Sequence, residues 1–590
     1  MSALAEAKAH LAAGRGADAA RALRRALETP LGYTDQTAAV RLADSLSGAL
    51  APWRLAVAGS STTAQLVPLL RLHAWRRGLR LEVYEAPFGL YRQEILDPAS
   101  ALYRFAPQTT LIFVDHRDAE PGPVEAEAAR WEGLWRLLQE RTRGSVLMNN
   151  FASPVERPLG NLEAKVPESG LGRLRALNGL LAARAGAGVA LLDAEHLSSV
   201  LGKERWHDAR FWHHSRQAMS FDGLTRYAAE AGAVLAALAG RSRKVLAVDL
   251  DNTLWGGVVG DDGAEGPVLD GAEGEAFVAF QRYLKALKER GVLLAVCSKN
   301  EPANAKAPFK SRPEMALALE DFAAFEAGWG EKAEALGRIA SRLNVGLDAV
   351  AFLDDNPVER EAVRRFLPEV AVVELPEDPA DFPRSLDASR LFETVSLSAE
   401  DAARAGHFQA ESGRDALKAS AADLGGFLKG LEMRAELGPF VEADLERIVQ
   451  LFNKTNQFNL LTRRVSEAQV RAWLADPAVF TLSARLKDRF GDSGLVACLA
   501  AREEGSELHV TDWLMSCRVF GRGLEQLCFN RLLAEARRRG LEAVVGRFEP
   551  TAKNALVKDW YPSLGFVAEG PGTWRLDVAS AAPKEVFIDA

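Results

Sequence analysis

The segment VLAVDLDNTLWGG, residues 245–257, constrains this chain more than any other. Four apolar residues without a polar break read as a strand buried on both faces, the kind found inside a parallel sheet. That strand runs straight into Asp249 and Asp251. Carboxylates two residues apart on extended backbone point the same way, and their repulsion needs a cation or a shared proton to offset it. In an open α/β sheet, ligands bind beyond the C-terminal ends of the strands. A strand-tip site for a cation or a phosphoryl group is the expectation.

Three later segments extend it in chain order. VLLAVCSKN reads as a second buried strand ending at Ser298, whose hydroxyl suits a phosphate oxygen. Lys332, in GWGEKAEAL, opens an amphipathic helix and supplies positive charge for a transferring group. VAFLDDNPVER is a third buried strand, tipped by Asp354 and Asp355. Ligands that are all oxygen favour Mg²⁺.

DxDxT, Ser, Lys and DD in this order resemble the haloacid dehalogenase (HAD) superfamily. The resemblance implies the roles. Asp249 is the nucleophile that forms an aspartyl-phosphate, and Asp251 is the acid and base. Thr253, Ser298 and Lys332 hold the phosphate. Asp249, Asp354 and Asp355 bind Mg²⁺, with the Asp251 carbonyl contributing. HAD enzymes often carry a lid domain inserted after the first or second motif. Here the segment after Gly256 is short and Gly/Asp-rich, and the segment from Lys299 to Lys332 reads as loop and helix only. Neither has room for a lid, so the site is expected to admit a large substrate, such as a phosphate carried on another protein.

The wording is closer still. DLDNTLWGGVVGDDG, CSKN followed by RPEMALALEDFAAF, FLDDNPVERE and ELPEDP resemble the FkbH-like branch of that superfamily (subfamily IIIC), as do KTNQFNLLTRR, LKDRFGDSGLV and WLMSCRVFGRGLE further on. The loop NEPANAKAPFKSRPEM, rich in Pro and Lys, departs from the pattern. The resemblance implies removal of phosphate from 1,3-bisphosphoglycerate and delivery of its glyceryl unit to an acyl carrier protein, for polyketide-type biosynthesis.

The third region, 381–590, resembles GNAT-type acyltransferases. RVFGRG matches their R-x-x-G-x-G loop, in which Arg518, Gly521 and Gly523 would cradle a pantetheine-linked pyrophosphate at a helix start. A long amphipathic helix follows, and YPSLGF lies downstream. Cys517 directly precedes Arg518 and that helix start, where a thiolate is stabilised. It is the candidate acyl-carrying nucleophile. His509, eight residues earlier, reads as a half-exposed strand residue, and Cys297, Cys498 and Cys528 as buried ones.

The first region, 1–240, alternates buried strands (55–59, 110–115, 145–151, 188–193) with helices, which predicts a parallel sheet. Gly59-Ser60-Ser61 after one strand, Asn149-Asn150 after another and a late WHDARFWHH partly resemble the SGNH hydrolases. His207, Asp208, His213 and His214 lack the D-x-x-H spacing of that family. The region is expected to be degenerate, a docking or scaffold domain.

The chain is thus read as a multidomain α/β protein with a HAD-type Rossmannoid sheet at 241–380 and a GNAT-like C-terminal domain. At 590 residues it exceeds a single core. Acidic residues outnumber basic ones 80 to 72, and no long Lys/Arg run is present, so nucleic acid is not an expected partner. No signal peptide or membrane span is expected, and four cysteines without a CxxC pair point to neither a disulfide framework nor structural zinc. A cytoplasmic location follows. ELPEDPADFPRS, 374–385, reads as a linker. The alternatives are a phosphatase of a small phosphometabolite with an acetyl-CoA-dependent acyltransferase domain, and a scaffold without turnover.

Overall fold

A computed structural model describes the chain except residues 1–2, 30, 49, 397–413, 415–416, 418–422, 456–457, 462, 464, 517–518 and 552–553, and the side chains of 454 and 556. It divides into two compact units, Met1–Ala405 and Gly406–Ala590.

The first unit holds two separate five-stranded parallel sheets. One contains β1 (Ala51–Gly59), β2 (Leu79–Glu85), β3 (Thr109–Phe113), β4 (Ser145–Asn149) and β5 (Val189–Leu192), in the order β2-β1-β3-β4-β5. Its centre is fully buried, with helices on both faces supplying the two apolar layers. The second contains β6 (Val245–Val248), β7 (Leu293–Ser298), β8 (Phe322–Ala327), β9 (Val350–Leu353) and β10 (Ala371–Val373), in the order β10-β9-β6-β7-β8. The VLAV strand is therefore central, with β7 on one side and β9 on the other, both parallel to it. That register aligns the C-terminal tips of β6, β7 and β9, which is why residues roughly 50 and 100 positions apart meet.

Two expectations need correction here. The FAAF run is an edge strand, β8, parallel to β7, not loop and helix. Its alternating apolar residues continue the sheet, so the segment still leaves no lid. The supposed linker at 374–385 leads into a helix, Phe382–Ala388, whose Phe382 and Leu386 are buried in the second sheet's core. Proline-rich composition signalled a chain turn there and hid two core anchors.

The two sheets of this unit are tied by ion pairs and hydrogen bonds. Arg390 Nε bonds Glu230 Oε2 at 2.8 Å, Arg77 donates to the Ser389 carbonyl at 2.6 Å, and Arg364 reaches Glu28 at 3.1 Å.

The second unit is a mixed sheet. Its strands are β11 (Met433–Gly438), β12 (Phe458–Asn459), β13 (Val479–Asp488), β14 (Gly491–Glu504), β15 (Glu507–Met515), β16 (Ala543–Arg547), β17 (Val567–Gly570), β18 (Thr573–Asp577) and β19 (Ile588–Asp589). β11, β13, β14 and β15 are antiparallel, then β16 joins β15 in parallel after the crossover helix Leu524–Arg538. β15 and β16 pair only from Glu507 to His509, although β15 runs on to Met515. Beyond that point β12 takes the vacated edge of β15. An antiparallel meander followed by a parallel pair that parts midway is the GNAT-like arrangement. Among the described residues, no helix is long and apolar enough to cross a membrane.

Candidate active site

The tips of β6 and β9 bring Asp249, Asp354 and Asp355 together, with one carboxylate oxygen from each lying within 4.8 Å of the others. Lys332, first residue of the helix Lys332–Arg342, enters this cluster 4% exposed. Its Nζ lies 2.7 Å from Asp249 Oδ2 and also contacts Asp354 Oδ2. Burial works against the ammonium, yet the two carboxylates beside it raise its pKa above the ordinary lysine value. Burial and the neighbouring Asp249 push Asp354 up to about 6, with Lys332 opposing them, and Asp355 is raised by the same two causes.

Of the remaining motif residues, Thr253 bonds the cluster directly, and Asn300 links Ser298 to Asp251. Thr253 Oγ1 donates to Asp355 Oδ1 at 3.3 Å and accepts the Asp355 N–H at 3.2 Å, locking the turn after β6 to the tip of β9. Asn252 makes that turn with a left-handed φ of +51°; asparagine tolerates this conformation better than most residues. Ser298 lies buried at the end of β7. Asp251 is held by three donors: Trp255 Nε1 at 2.9 Å, the Val259 N–H at 3.1 Å and Asn300 Nδ2 at 2.8 Å.

Three of these contributors were not singled out from sequence. Asn300 follows Ser298 by two residues, and the same-side rule that paired Asp249 with Asp251 would have flagged it. Trp255 carries no such signal, because a tryptophan beside a turn reads simply as core. Arg360 donates to the backbone carbonyls of Asp354 and Asp355 at 2.7 and 2.6 Å, and holds the acidic tip in place from behind.

In the first sheet the strand-tip residues behave differently. Ser60 Oγ donates to Asp118 Oδ2 at 2.5 Å. Asn149 gives its amide N–H groups to the carbonyls of Val114 and Asn150, and accepts from the Val114 N–H and the Tyr227 hydroxyl. His207 bonds the Ser153 carbonyl at 3.0 Å. Asp208 caps the helix Ala209–Ser215, on which His213 and His214 are exposed. Ser60, Asn149 and a histidine do not form a hydrogen-bonded relay among the described contacts.

In the second unit, Cys517 and Arg518 lie outside the described residues. Gly521 and Gly523 are described, with left-handed φ of +77° and +92° that favour glycine. Their N–H groups are not vacant. Gly521 donates to Glu525 Oε1 at 2.6 Å and Gly523 to Glu525 Oε2 at 3.1 Å. His509 is half-buried and bonds Glu507 at 3.1 Å. Cys297, Cys498 and Cys528 are buried, and burial pushes all three thiols up.

Known proteins agree with this arrangement. Residues 54–236 match the family described as FkbH, N-terminal domain. The crystal structure of the N-terminal part of the protein BF1531 from Bacteroides fragilis, containing a phosphatase domain and complexed with Mg, is 34% identical. That match covers 62% of this chain and 100% of the other, with a TM-score of 0.57. The chain belongs to the FkbH-like branch of the HAD superfamily. Among solved structures, the ribosomal-protein-S18-alanine N-acetyltransferase from Escherichia coli and the spermidine N-acetyltransferase from Vibrio cholerae also match. Each is 15% identical over 25% of this chain and 96% of its own, with TM-scores of 0.20. The GNAT-like character of the FkbH-like chain's second unit rests on its own strand order. No curated protein matches the chain.

Proposed function

We propose that this chain removes phosphate from the glyceryl unit of 1,3-bisphosphoglycerate and loads that unit onto the pantetheine thiol of an acyl carrier protein, for polyketide-type assembly. The coarser part, phosphatase-type chemistry in an FkbH-like enzyme, is supported by the family and by the phosphatase-domain relative. The observation that carries the reading is the convergence of Asp249, Asp354, Asp355 and Lys332 at one pair of strand tips.

The donor set fits a hard divalent cation. Three carboxylates against one ammonium leave two negative charges uncompensated, and Asp249 Oδ1 is buried without a hydrogen-bond partner. Asp249, Asp354, Asp355 and the Asp251 carbonyl would hold Mg²⁺, which when bound neutralises and orients the phosphoryl oxygens. The BF1531 phosphatase-domain structure is complexed with Mg.

The protein's own groups then divide the work. Asp249 attacks phosphorus, and the bond from phosphorus to the glyceryl oxygen breaks. Asp251, aimed by Trp255, Val259 and Asn300, gives its proton to the leaving oxygen. It then takes a proton from the water that cleaves the aspartyl-phosphate. Lys332, Thr253 and Ser298 hold the phosphoryl oxygens. Cys517 is the proposed acyl carrier within the chain: its thiolate attacks the acyl-phosphate carbonyl, inorganic phosphate leaves, and the thioester passes to the carrier thiol. The site has no inserted lid, and exposed Trp329 and Val358 flank it in sequence, on the loop before Lys332 and after the acidic tip. Exposed apolar side chains near an open site suit a protein-borne substrate.

The test is to incubate the full chain with 1,3-bisphosphoglycerate, Mg²⁺ and phosphopantetheinylated carrier, and weigh the carrier. Glyceryl on the carrier supports the proposal. Phosphate release without loading supports a plain phosphatase, and neither product supports a scaffold. Cys517→Ala is expected to abolish the acyl adduct on the chain itself; an adduct that persists removes Cys517 from the scheme.

A further inference from the structure

The segments that carry the site residues meet a second time, through the residues beside them in the chain. Lys299 follows Ser298 at the end of β7, and its Nζ lies 2.7 Å from Glu359 Oε1. Glu359 sits in the first turn of the helix Pro357–Phe366, four residues past Asp355. Glu331, directly before Lys332, stands 3.9 Å from the same Nζ. In the sheet, β6 lies between β7 and β9. A contact from the segment after β7 to the helix after β9 therefore spans the end of β6, where Asp249 begins the site.

The pair leaves bonding capacity on both partners. Glu359 Oε2 is buried and has no hydrogen-bond partner among the described residues. A buried carboxylate oxygen left without one costs free energy that a ligand can recover. An ammonium carries three donors, and the described contacts place one of those on Lys299 at hydrogen-bond range of an acceptor. The lysine side chain is 31% exposed and the glutamate 14%, so a ligand at the mouth can reach them. Ion pairs open to solvent contribute little to stability, so turning Lys299 towards a ligand costs little. A donor beside an acceptor is complementary to a carbonyl beside a hydroxyl. A glyceryl unit phosphorylated at C3 carries that combination, a hydroxyl on C2 and a carbonyl at C1.

We propose that Lys299 and Glu359 are specificity residues for the part of the substrate beyond its phosphate: Glu359 Oε2 accepts from a hydroxyl on the carbon next to the phosphorylated one, and Lys299 donates to the carbonyl or carboxylate oxygen after it. The site thereby selects 3-phospho-2-hydroxyacyl compounds among phosphomonoesters, a selection made without a lid. This rests on the reading that the site dephosphorylates a glyceryl unit, and it names the groups by which that unit is recognised.

Phosphate release by the full chain with Mg²⁺ from three small probes tests it. They are 3-phosphoglycerate, whose carboxylate stands in for the acyl carbonyl, 3-phosphooxypropanoate, which lacks the hydroxyl, and propyl phosphate, which lacks the carboxylate as well. All three lose a primary alkoxide, so ratios of kcat/KM report recognition and not leaving-group chemistry. The wild-type chain is expected to prefer each probe to the next by about tenfold or more, the scale of one hydrogen bond to a charged group. Glu359→Ala is expected to bring the first ratio to within about twofold of unity, because the acceptor for the hydroxyl is gone. Glu359→Gln keeps the shape and covers the case in which the alanine variant misfolds; it is expected to lower that ratio by less. Lys299→Met is expected to collapse the second ratio. Flat ratios in the wild-type chain, release from none of the probes, or ratios that persist in folded variants would overturn the proposal. Carrier loading from 1,3-bisphosphoglycerate is scored separately, so failure of the broader reading shows there and not in these ratios.

Discussion

The first unit contains two parallel sheets of the same strand count, and their tips teach opposite lessons. At the tips of β6 and β9, three carboxylates crowd one lysine, and Asp249 Oδ1 is buried with no partner. At the tips of β1, β3 and β4, the serine bonds an aspartate, the asparagine bonds backbone and a tyrosine, and the late histidine bonds a carbonyl. Burying a polar group is tolerable when its bonds are made within the protein. At the first sheet's tips Ser60, Asn149 and His207 have made theirs, although Ser61 Oγ beside them is buried without one. The second has left charge in place that folding alone does not favour, which is the mark of a site completed by a ligand.

Substitutions should separate the two sheets cleanly. Asp249→Asn is expected to lower phosphate release about a thousandfold or more, measured by steady-state turnover, because the proposed nucleophile is lost. A fall of less than tenfold would remove Asp249 from that role. Lys332→Met leaves the carboxylates uncompensated, and loss of one partner from a buried charge cluster costs about 3–5 kcal/mol. Urea unfolding of chelator-treated protein should show that loss, and adding Mg²⁺ should recover part of it. A variant as stable as wild type without metal would mean the carboxylates are not ionised together.

The first sheet's surroundings supply a pH test. His73 is buried against Gln36 Oε1 at 2.9 Å, and burial, with Arg76 and Arg77 adding to it, lowers its pKa to about 3. Because the folded pKa lies below the unfolded value near 6.5, the protein is stabilised while His73 stays neutral. That stability is present above pH 6.5 and is lost as the pH falls towards 3. Between pH 7 and pH 5 the loss is about 2 kcal/mol. His73→Gln should show a smaller decline over the same range; an identical decline would assign the acid sensitivity to other groups. Smallest of all, Ser60→Ala should cost about 1 kcal/mol, the worth of one hydrogen bond, and leave phosphate release within about twofold. A large loss of turnover there would make the first sheet catalytic after all.

Much of this was legible in the chain itself, for a physical reason. VLAV, VLLAVCS and VAFL are unbroken apolar runs, so their places inside a parallel sheet and the polar residues at their ends follow from burial alone. Contacts made by residues whose chemistry is ambiguous were not legible. Trp255 looks like core until its N–H is seen on Asp251, and Phe382 is hidden in a proline-rich stretch that suggests a linker. The loop at Gly521 and Gly523 was legible as an anion-binding turn, but sequence spacing does not reveal that Glu525 folds back to fill it. Tertiary partners decide such cases.

The proposed chemistry requires Asp249 to become phosphorylated among the charges gathered at β6 and β9. Rapid acid quench of the full chain during turnover with Mg²⁺ and 1,3-bisphosphoglycerate, followed by peptide mass mapping, reads this directly. One phosphoryl group on the peptide carrying Asp249, accumulating further in Asp251→Asn because its hydrolysis is slowed, is the predicted result. Phosphate released with that peptide unmodified in both proteins, or a phosphoryl group found on another residue, would contradict it.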